Sequence, residues 1–120
     1  MHMLPTRAVS KLLPLYMTHV AYTPQAWAAL AKKPENREEA TRALAEKLGC
    51  RLVSYYCCFG EYDVVAIYEA PDETTAAAMV LAAVSPRHLK ASKTTTLMTT
   101  EQMMEAMRKA GTQTYRAPGQ

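Results

Sequence analysis

The sequence predicts a single α+β domain in which helices cover one four-stranded sheet. The length of 120 residues and mass of 13.3 kDa leave room for one domain with one core. Hydrophobic residues make up 49% of the chain and charged residues 21%, a globular composition that excludes wholesale disorder. Segments rich in strand-forming residues alternate with helical segments that have recognisable caps.

The predicted elements follow one another with short connections. Residues 1–11 are expected to be an irregular arm, residues 12–110 the domain and residues 111–120 a flexible tail. The first half is predicted to contain a strand (Leu12 to Tyr22), two helices (Thr23 to Lys32 and Glu35 to Leu48) and a second strand (Arg51 to Phe59). The second half is predicted to contain a third strand (Tyr62 to Glu69), a helix (Pro71 to Val84), a fourth strand (His88 to Met98) and a last helix (Thr99 to Ala110).

Each element of the first half has its own signal. The first strand carries apolar residues on both faces, as in a strand that is covered on both sides. Thr23 is a good N-cap, and Pro24 suits the first position of the helix that follows. The second helix carries one apolar stripe and is followed by Gly49, which is typical of a C-terminal cap.

The second half begins with two strands that are close enough to form an antiparallel hairpin. Both are rich in β-branched and aromatic residues, and Gly60-Glu61 is predicted to form a tight turn between them. The next helix is rich in Ala and stops at Ser85-Pro86. The fourth strand carries lysines and three consecutive threonines, which is typical of a sheet edge. Thr99 and Gln102 have the spacing of a capping box at the start of the last helix.

This order of elements predicts a ferredoxin-like fold, βαββαβ with an extra C-terminal helix. Right-handed crossovers place the crossover helices on one face of the sheet and leave the other face bare. A bare apolar face is too large a patch for a stable monomer, so two copies are expected to pair as a dimeric α+β barrel. The last helix, apolar at Met103, Met104 and Met107, is expected to cap the barrel or pack on a neighbour. The bare face is expected to include some of Tyr16, Val20, Tyr55, Cys57, Val65 and Ile67.

Charge and composition exclude several partner classes. The net charge of +3 is small and spread along the chain, so no nucleic-acid partner is predicted. The longest apolar run, Ala76 to Val84, is far shorter than the ~20 residues of a membrane-spanning helix, so no membrane partner is predicted. An odd number of cysteines and the absence of a signal peptide favour the cytoplasm. No phosphate-binding Gly loop occurs, and no cofactor is predicted.

An ordered set of motifs resembles one known family. Gly60-Glu61-Tyr62-Asp63 fits a Gly-x-Tyr-Asp signature, and Tyr22-Thr23-Pro24-Gln25 resembles an aromatic-Thr-x-Gln helix opening. The surroundings of the signature fit as well, in Arg42 to Gly49, Val64 to Ile67 and Glu69 to Asp72. From about Leu13 to Glu105, the chain resembles the GYD-domain proteins. The resemblance implies a dimeric α+β barrel and no established reaction; His19 and Cys57-Cys58 depart from the family pattern.

Three residues are candidates for proton transfer. His19, on a predicted central strand, has the chemistry of a general base or a metal ligand near neutral pH; the alternative is a hydrogen-bonded histidine at an interface. Tyr62 beside Asp63 has the chemistry to orient a substrate oxygen. The alternative is that Gly60 permits the turn, Asp63 accepts backbone N–H groups and Tyr62 packs.

Aromatic residues are many for one small sheet. Tyr16, Tyr22, Trp27 and Tyr55 are candidates to line a pocket for a flat organic ligand between the sheet and its helices. Interface packing is the alternative, since Tyr is also enriched at interfaces.

The remaining metal-ligating or basic side chains favour structural roles. Cys57 and Cys58 are adjacent, so their side chains point to opposite faces of a strand, and core packing is favoured over a metal site. No metal site is predicted. His88 and Lys93 are predicted to lie on a solvated sheet edge; the alternative is that either one binds an anion.

The sequence therefore favours a homo-oligomeric small-molecule-binding protein without a large cofactor, using proton transfer at His19 with Tyr62 or Asp63 orienting the ligand. The alternative is a non-catalytic binding or regulatory module whose oligomer is the functional object. A soft-metal or redox protein using Cys, His and Met is the third hypothesis.

Overall fold

A computed structural model describes residues 13–120, and in them it confirms the α+β class and the ferredoxin-like fold. The predicted arm, residues 1–11, and the first residue of the predicted strand, Leu12, lie outside the described range. The elements are β1 (Leu15–Tyr22), α1 (Pro24–Lys32), α2 (Arg37–Lys47), β2 (Arg51–Cys57), β3 (Val64–Glu69), α3 (Glu73–Val84), β4 (Leu89–Leu97) and α4 (Thr100–Gly111).

The four strands form one antiparallel sheet in the order β2-β3-β1-β4. Strands β1 and β3 are central, and the polar strand β4 lies at an edge, as predicted. We call the side of the sheet beneath α2 and α3 the covered face. The covered face and these helices share one core, formed by Tyr16, Ala45, Leu52, Ala66, Tyr68, Ala76 and Met79. Tyr68 is 1% exposed and stacks on Tyr16 at a centroid distance of 5.9 Å.

The opposite side of the sheet, which we call the open face, has a different set of apolar side chains. Because side chains alternate along a strand, the pairs Met17–Ile67 and His19–Val65 lie on it together. Its half-buried apolar side chains are Leu15, Met17, Val65, Ile67 and Leu97.

The strand register decides which of the residues expected on the bare face lie there. Val65 and Ile67 lie on it, whereas Tyr16, Val20 and Tyr55 lie on the covered face. The sequence shows only that both faces of the central strands are apolar, and pairing with helices decides which set is covered.

The connection between β2 and β3 is longer than the predicted tight turn. Strand β2 ends at Cys57 rather than Phe59, and β3 begins at Val64 rather than Tyr62. The Cys58 N–H donates to the Asp63 carbonyl across this loop at 2.8 Å. The Asp63 N–H donates instead to Val20 of β1, also at 2.8 Å. The loop residues between them therefore lie outside the β2–β3 ladder.

This loop also corrects the interpretation of the cysteines. Cys57 is exposed at the end of β2 and Cys58 is half-buried, so neither packs in the core. Cys50, which directly precedes β2, is the buried cysteine.

Side-chain caps set where the helices begin. The Asn36 side chain accepts from the Glu39 N–H, so α2 starts at Arg37 rather than at the predicted Glu35. The predicted cap at Thr23 and the capping box of Thr99 with Gln102 are both present.

Helix α4 is an amphipathic helix whose residues are all exposed. Its side chains Met103, Met104 and Met107 are 41%, 47% and 61% exposed. A helix of 12 residues is marginal in isolation, so this apolar stripe is a surface available for packing against another element.

Candidate functional site

A cavity of about 180 Å³ lies between the covered face and the two helices above it. Small and aliphatic side chains make most of its wall. They come from α2, α3 and the central strands, and include Ala40, Leu44, Met79, Val80, Ala83 and Ala66. Such a wall favours a ligand with an apolar body.

Hydroxyl groups line the sheet side of the cavity. The Tyr68 hydroxyl hydrogen-bonds Thr18 Oγ1 at 3.0 Å, and Thr18 in turn bonds Thr94 at 2.9 Å. Burial raises the pKa of Tyr68, and burial followed by the nearby Tyr22 phenol raises the pKa of Tyr55. Both phenols therefore remain protonated near neutral pH and available as hydrogen-bond donors.

Two basic side chains also border the cavity. Arg37 is the first residue of α2, and His88 directly precedes β4. The His88 ring lies 6.0 Å from the Tyr22 ring, and its Nδ1 atom is buried without a partner among residues 13–120. Burial, and secondly the charge of Arg37, lowers the pKa of His88, so this ring is neutral at pH 7.

The lowered pKa of His88 predicts a loss of stability at mildly acidic pH. Below its ordinary pKa of 6.5, the unfolded chain takes up the His88 proton before the folded chain does, so unfolding becomes more favourable as the pH falls. We expect the variant His88→Gln to lose less stability than the wild type between pH 7 and 5, measured by urea unfolding. Equal slopes for the two proteins would contradict this assignment.

A wider groove of about 430 Å³ adjoins the cavity. It lies beside the α1–α2 connection and the end of β2, and its walls include Trp27, Leu30, Pro34, Tyr56 and Cys57. Both spaces are bordered by Tyr22, Arg37, Tyr55 and Val64. The cavity and the groove are therefore neighbouring spaces that share these four side chains.

Three of the four aromatic candidates border the cavity or the groove, and the fourth does not. Tyr22 and Tyr55 line both the cavity and the groove, whereas Trp27 lines the groove and packs edge-on against Tyr22 at 5.2 Å. Tyr16 borders neither space, because it is buried in the core against Tyr68.

Asp63 holds the junction between β1 and α1. Its Oδ2 atom accepts from the Tyr22 N–H at 2.8 Å and from Trp27 Nε1 at 3.3 Å. One carboxylate thus fixes the end of a central strand and the side chain that forms one wall of the groove.

His19 and Tyr62 lie together on the other side of the sheet. Their ring centroids are 5.3 Å apart, and the strand register places Lys93 opposite His19. The Nδ1 atom of His19 is buried without a partner among residues 13–120. Because Thr18 and Val20 line the cavity, the intervening His19 points away from it. The sheet therefore separates His19 from Tyr22 and Tyr55.

Sequence reasoning missed the cavity roles of Arg37 and His88. His88 was expected on a solvated edge, but it lies before β4 where Tyr22 packs beside it. No sequence pattern marks Arg37, because its position at the cavity depends on how α2 is rotated over the sheet.

Neither a metal-binding cluster nor a membrane-spanning helix occurs in the described part of the chain. Within residues 13–120, no cluster of three or more His, Cys, Asp or Glu side chains is arranged to hold a metal ion. None of the described helices has both the length and the apolar character needed to cross a bilayer.

The sequence, including the signature loop, matches a known family over most of its length. The GYD domain matches residues 16–107. The chain belongs to the GYD domain family. The resemblance seen in the sequence is therefore confirmed, and in this GYD domain the Asp63 of the signature is the residue that ties the hairpin loop to β1 and Trp27.

Two known proteins are similar to this GYD domain. The glutamine synthetase and cystathionine beta-lyase binding protein of Thermus thermophilus is 32% identical over 69 residues, which cover 58% of this chain and 73% of that protein. The crystal structure of MtbAldR matches 75% of this chain and 56% of that chain, with a TM-score of 0.50 and 15% identity. The chain thus spans little more than half of the MtbAldR chain, and that likeness concerns the fold.

Proposed function

We propose that this GYD domain is a homo-oligomeric small-molecule-binding protein whose ligand occupies the cavity. The observation that carries the proposal is a largely apolar, partly open space between sheet and helices with three phenols, Tyr22, Tyr55 and Tyr68, in its wall. Sites for small organic molecules combine apolar walls with a few polar groups in this way.

The open face supports the homo-oligomer. Its apolar side chains form a row across the two central strands, with Met17 and Ile67 paired in the middle, and Leu97 extends the row onto β4. A second copy packed against this row removes it from water, and a two-fold axis makes the contact self-complementary. We expect light scattering at micromolar concentration to give the mass of two 13.3 kDa chains; the mass of one chain would contradict the pairing.

Filling the cavity tests the binding function. Ala83 of α3 lines the cavity, so the variant Ala83→Phe places a ring inside it. Ligand-observed NMR with toluene is expected to show binding to the wild type and at least about tenfold weaker binding to this variant. The control is Ala43→Phe, an exposed α2 position outside the cavity wall. Equal binding by all three proteins would refute the proposal.

Two of the candidates for proton transfer, His19 and Tyr62, lie on the opposite side of the sheet from this binding site. In the proposed dimer, His19 and Tyr62 belong to the face that meets the partner, and a ligand reaching them would have to enter between the two sheets. The proposed binding function does not use them.

A second candidate is a module that binds other proteins. The Thermus thermophilus relative is named as a binding protein for two enzymes, and here α4 offers an exposed apolar stripe for such a contact. If this candidate holds, the chain should co-elute in size-exclusion chromatography with the glutamine synthetase or cystathionine beta-lyase of that organism. The variant Met107→Glu should then elute alone, and separate elution of the wild type would rule out these two partners.

A further inference from the structure

The two basic side chains that border the cavity, Arg37 and His88, indicate the charge of the ligand that it binds. Arg37 and His88 come from different elements, α2 and the segment before β4, yet they border the same space. They are also close enough for the charge of Arg37 to influence His88. A cavity with largely aliphatic walls and hydroxyl groups on its sheet side therefore also has a positively charged arginine beside a neutral histidine.

Arg37 has hydrogen-bonding capacity left for a ligand. Its Nη1 donates to Glu35 Oε1 at 2.9 Å, an ion pair at the surface with both side chains partly exposed. Within residues 13–120, no other side-chain hydrogen bond of Arg37 is formed. A guanidinium carries five N–H donors in a planar fork that matches a carboxylate.

His88 contributes an unused polar atom. Its backbone carbonyl accepts from the Thr23 N–H at 2.9 Å, which anchors the residue beside the end of β1. Its Nδ1 atom is buried and has no partner in the described part of the chain. Buried polar atoms are nearly always hydrogen-bonded to protein or water, so this atom has the capacity to bond a ligand atom. In the neutral tautomer with its proton on Nδ1, the ring donates to an acceptor such as a carboxylate oxygen.

The wall that residues 13–120 form around the cavity has no acidic side chain that could pair with a positively charged group of a ligand. No Asp or Glu side chain of the described residues lines the cavity. An ammonium group inside it would lose its hydration without gaining a counter-charge. Because the described wall of the cavity has a single arginine, which is already paired with Glu35, the cavity suits a ligand with one negative charge better than a ligand with two.

From these observations we propose that the ligand is a monocarboxylic acid without an amino group, whose compact apolar body fills the cavity and whose carboxylate lies between Arg37 and His88. This inference rests on the proposed function. The cavity volume of about 180 Å³ suits a body of one ring, since a cavity of ~150 Å³ holds benzene.

Probe ligands that share one ring and differ in charge test this inference. We expect calorimetric titration of the full chain to show benzoate binding at least about tenfold more tightly than neutral benzamide, because hydrogen bonds to charged groups are the stronger kind. Phenylglycine, which adds an ammonium group, should bind more weakly than benzoate. Equal affinities for the three probes would overturn the inference.

Variants at the basic end separate this inference from the binding function. Arg37→Gln is expected to remove the preference for benzoate over benzamide, and Arg37→Lys to retain part of it. Arg42→Gln is the matched control, because Arg42 lies on the same helix, pairs with Glu38 and does not border the cavity. Thermal melts establish that each variant is folded.

The two proposals fail in different ways. If toluene binds and Ala83→Phe blocks it, while Arg37→Gln keeps the full preference for benzoate, the carboxylate assignment is wrong and the binding function stands. If neither toluene nor benzoate binds the wild type, both proposals are wrong.

Discussion

The substitution Ile67→Glu is expected to convert the proposed dimer into a monomer. Ile67 lies in the middle of the open face, opposite Met17. A glutamate there would be buried in the interface without a counter-charge, and the two-fold axis would bury two of them. We expect the free energy of dimer formation to become less favourable by about 4 kcal/mol or more, which raises the dissociation constant of the dimer roughly a thousandfold. Light scattering over a concentration series measures the change.

An exposed position provides the control for this experiment. Ala43→Glu adds the same charge on the outer surface of α2 and should leave the mass unchanged. Circular dichroism shows whether the Ile67→Glu chain is folded, because the core on the covered face does not include this side chain. A folded Ile67→Glu protein that keeps the wild-type mass would show that the open face is not the dimer interface.

The substitution Asp63→Ala is expected to lower the free energy of unfolding by about 3 kcal/mol. It removes the acceptor for the N–H of buried Tyr22 and for the Trp27 indole, and a buried donor left unpaired costs about 1–3 kcal/mol. Urea unfolding measures the loss. Asp63→Asn keeps one carbonyl acceptor and should lose less than half as much.

The neighbouring acidic residue distinguishes this specific role from a general effect of charge. Glu61 lies exposed in the same loop, and Glu61→Ala should change stability by less than about 0.5 kcal/mol. Similar losses for Glu61→Ala and Asp63→Ala would contradict the role assigned to Asp63. A loss of ligand affinity in Asp63→Ala alone is also expected, because Trp27 and Tyr22 border the groove.

Local signals account for most of the successful fold prediction. Thr23 and Thr99 cap helices through contacts within three residues along the chain, as the sequence predicts. The order of strands and helices leads to the ferredoxin-like topology through the handedness of crossovers. The boundaries that were wrong, at Phe59 and Tyr62, lie beside Asp63, whose carbonyl accepts from Cys58 across the hairpin while its N–H donates to distant Val20.

The candidate site was less accessible to sequence reasoning. Tyr22 and Tyr55 were identified because aromatic residues on a central sheet are conspicuous, and they do border the cavity. His19 was placed on a central strand, but its separation from the cavity follows from the alternation of side chains once the helices cover the other face. Arg37 and His88 carry no local signal of their proximity.

The chain's own residue pattern was sufficient to establish an α+β domain with four strands, capped helices and the loop signature of its family, because these features depend on neighbours close in sequence. Three-dimensional packing alone established which face of the sheet is covered, that Asp63 ties a loop to β1, and that Arg37 meets His88 at one cavity. The residues brought together in this way are 41 and 51 positions apart in sequence, and their placement depends on how α2 and the hairpin loop pack on the sheet.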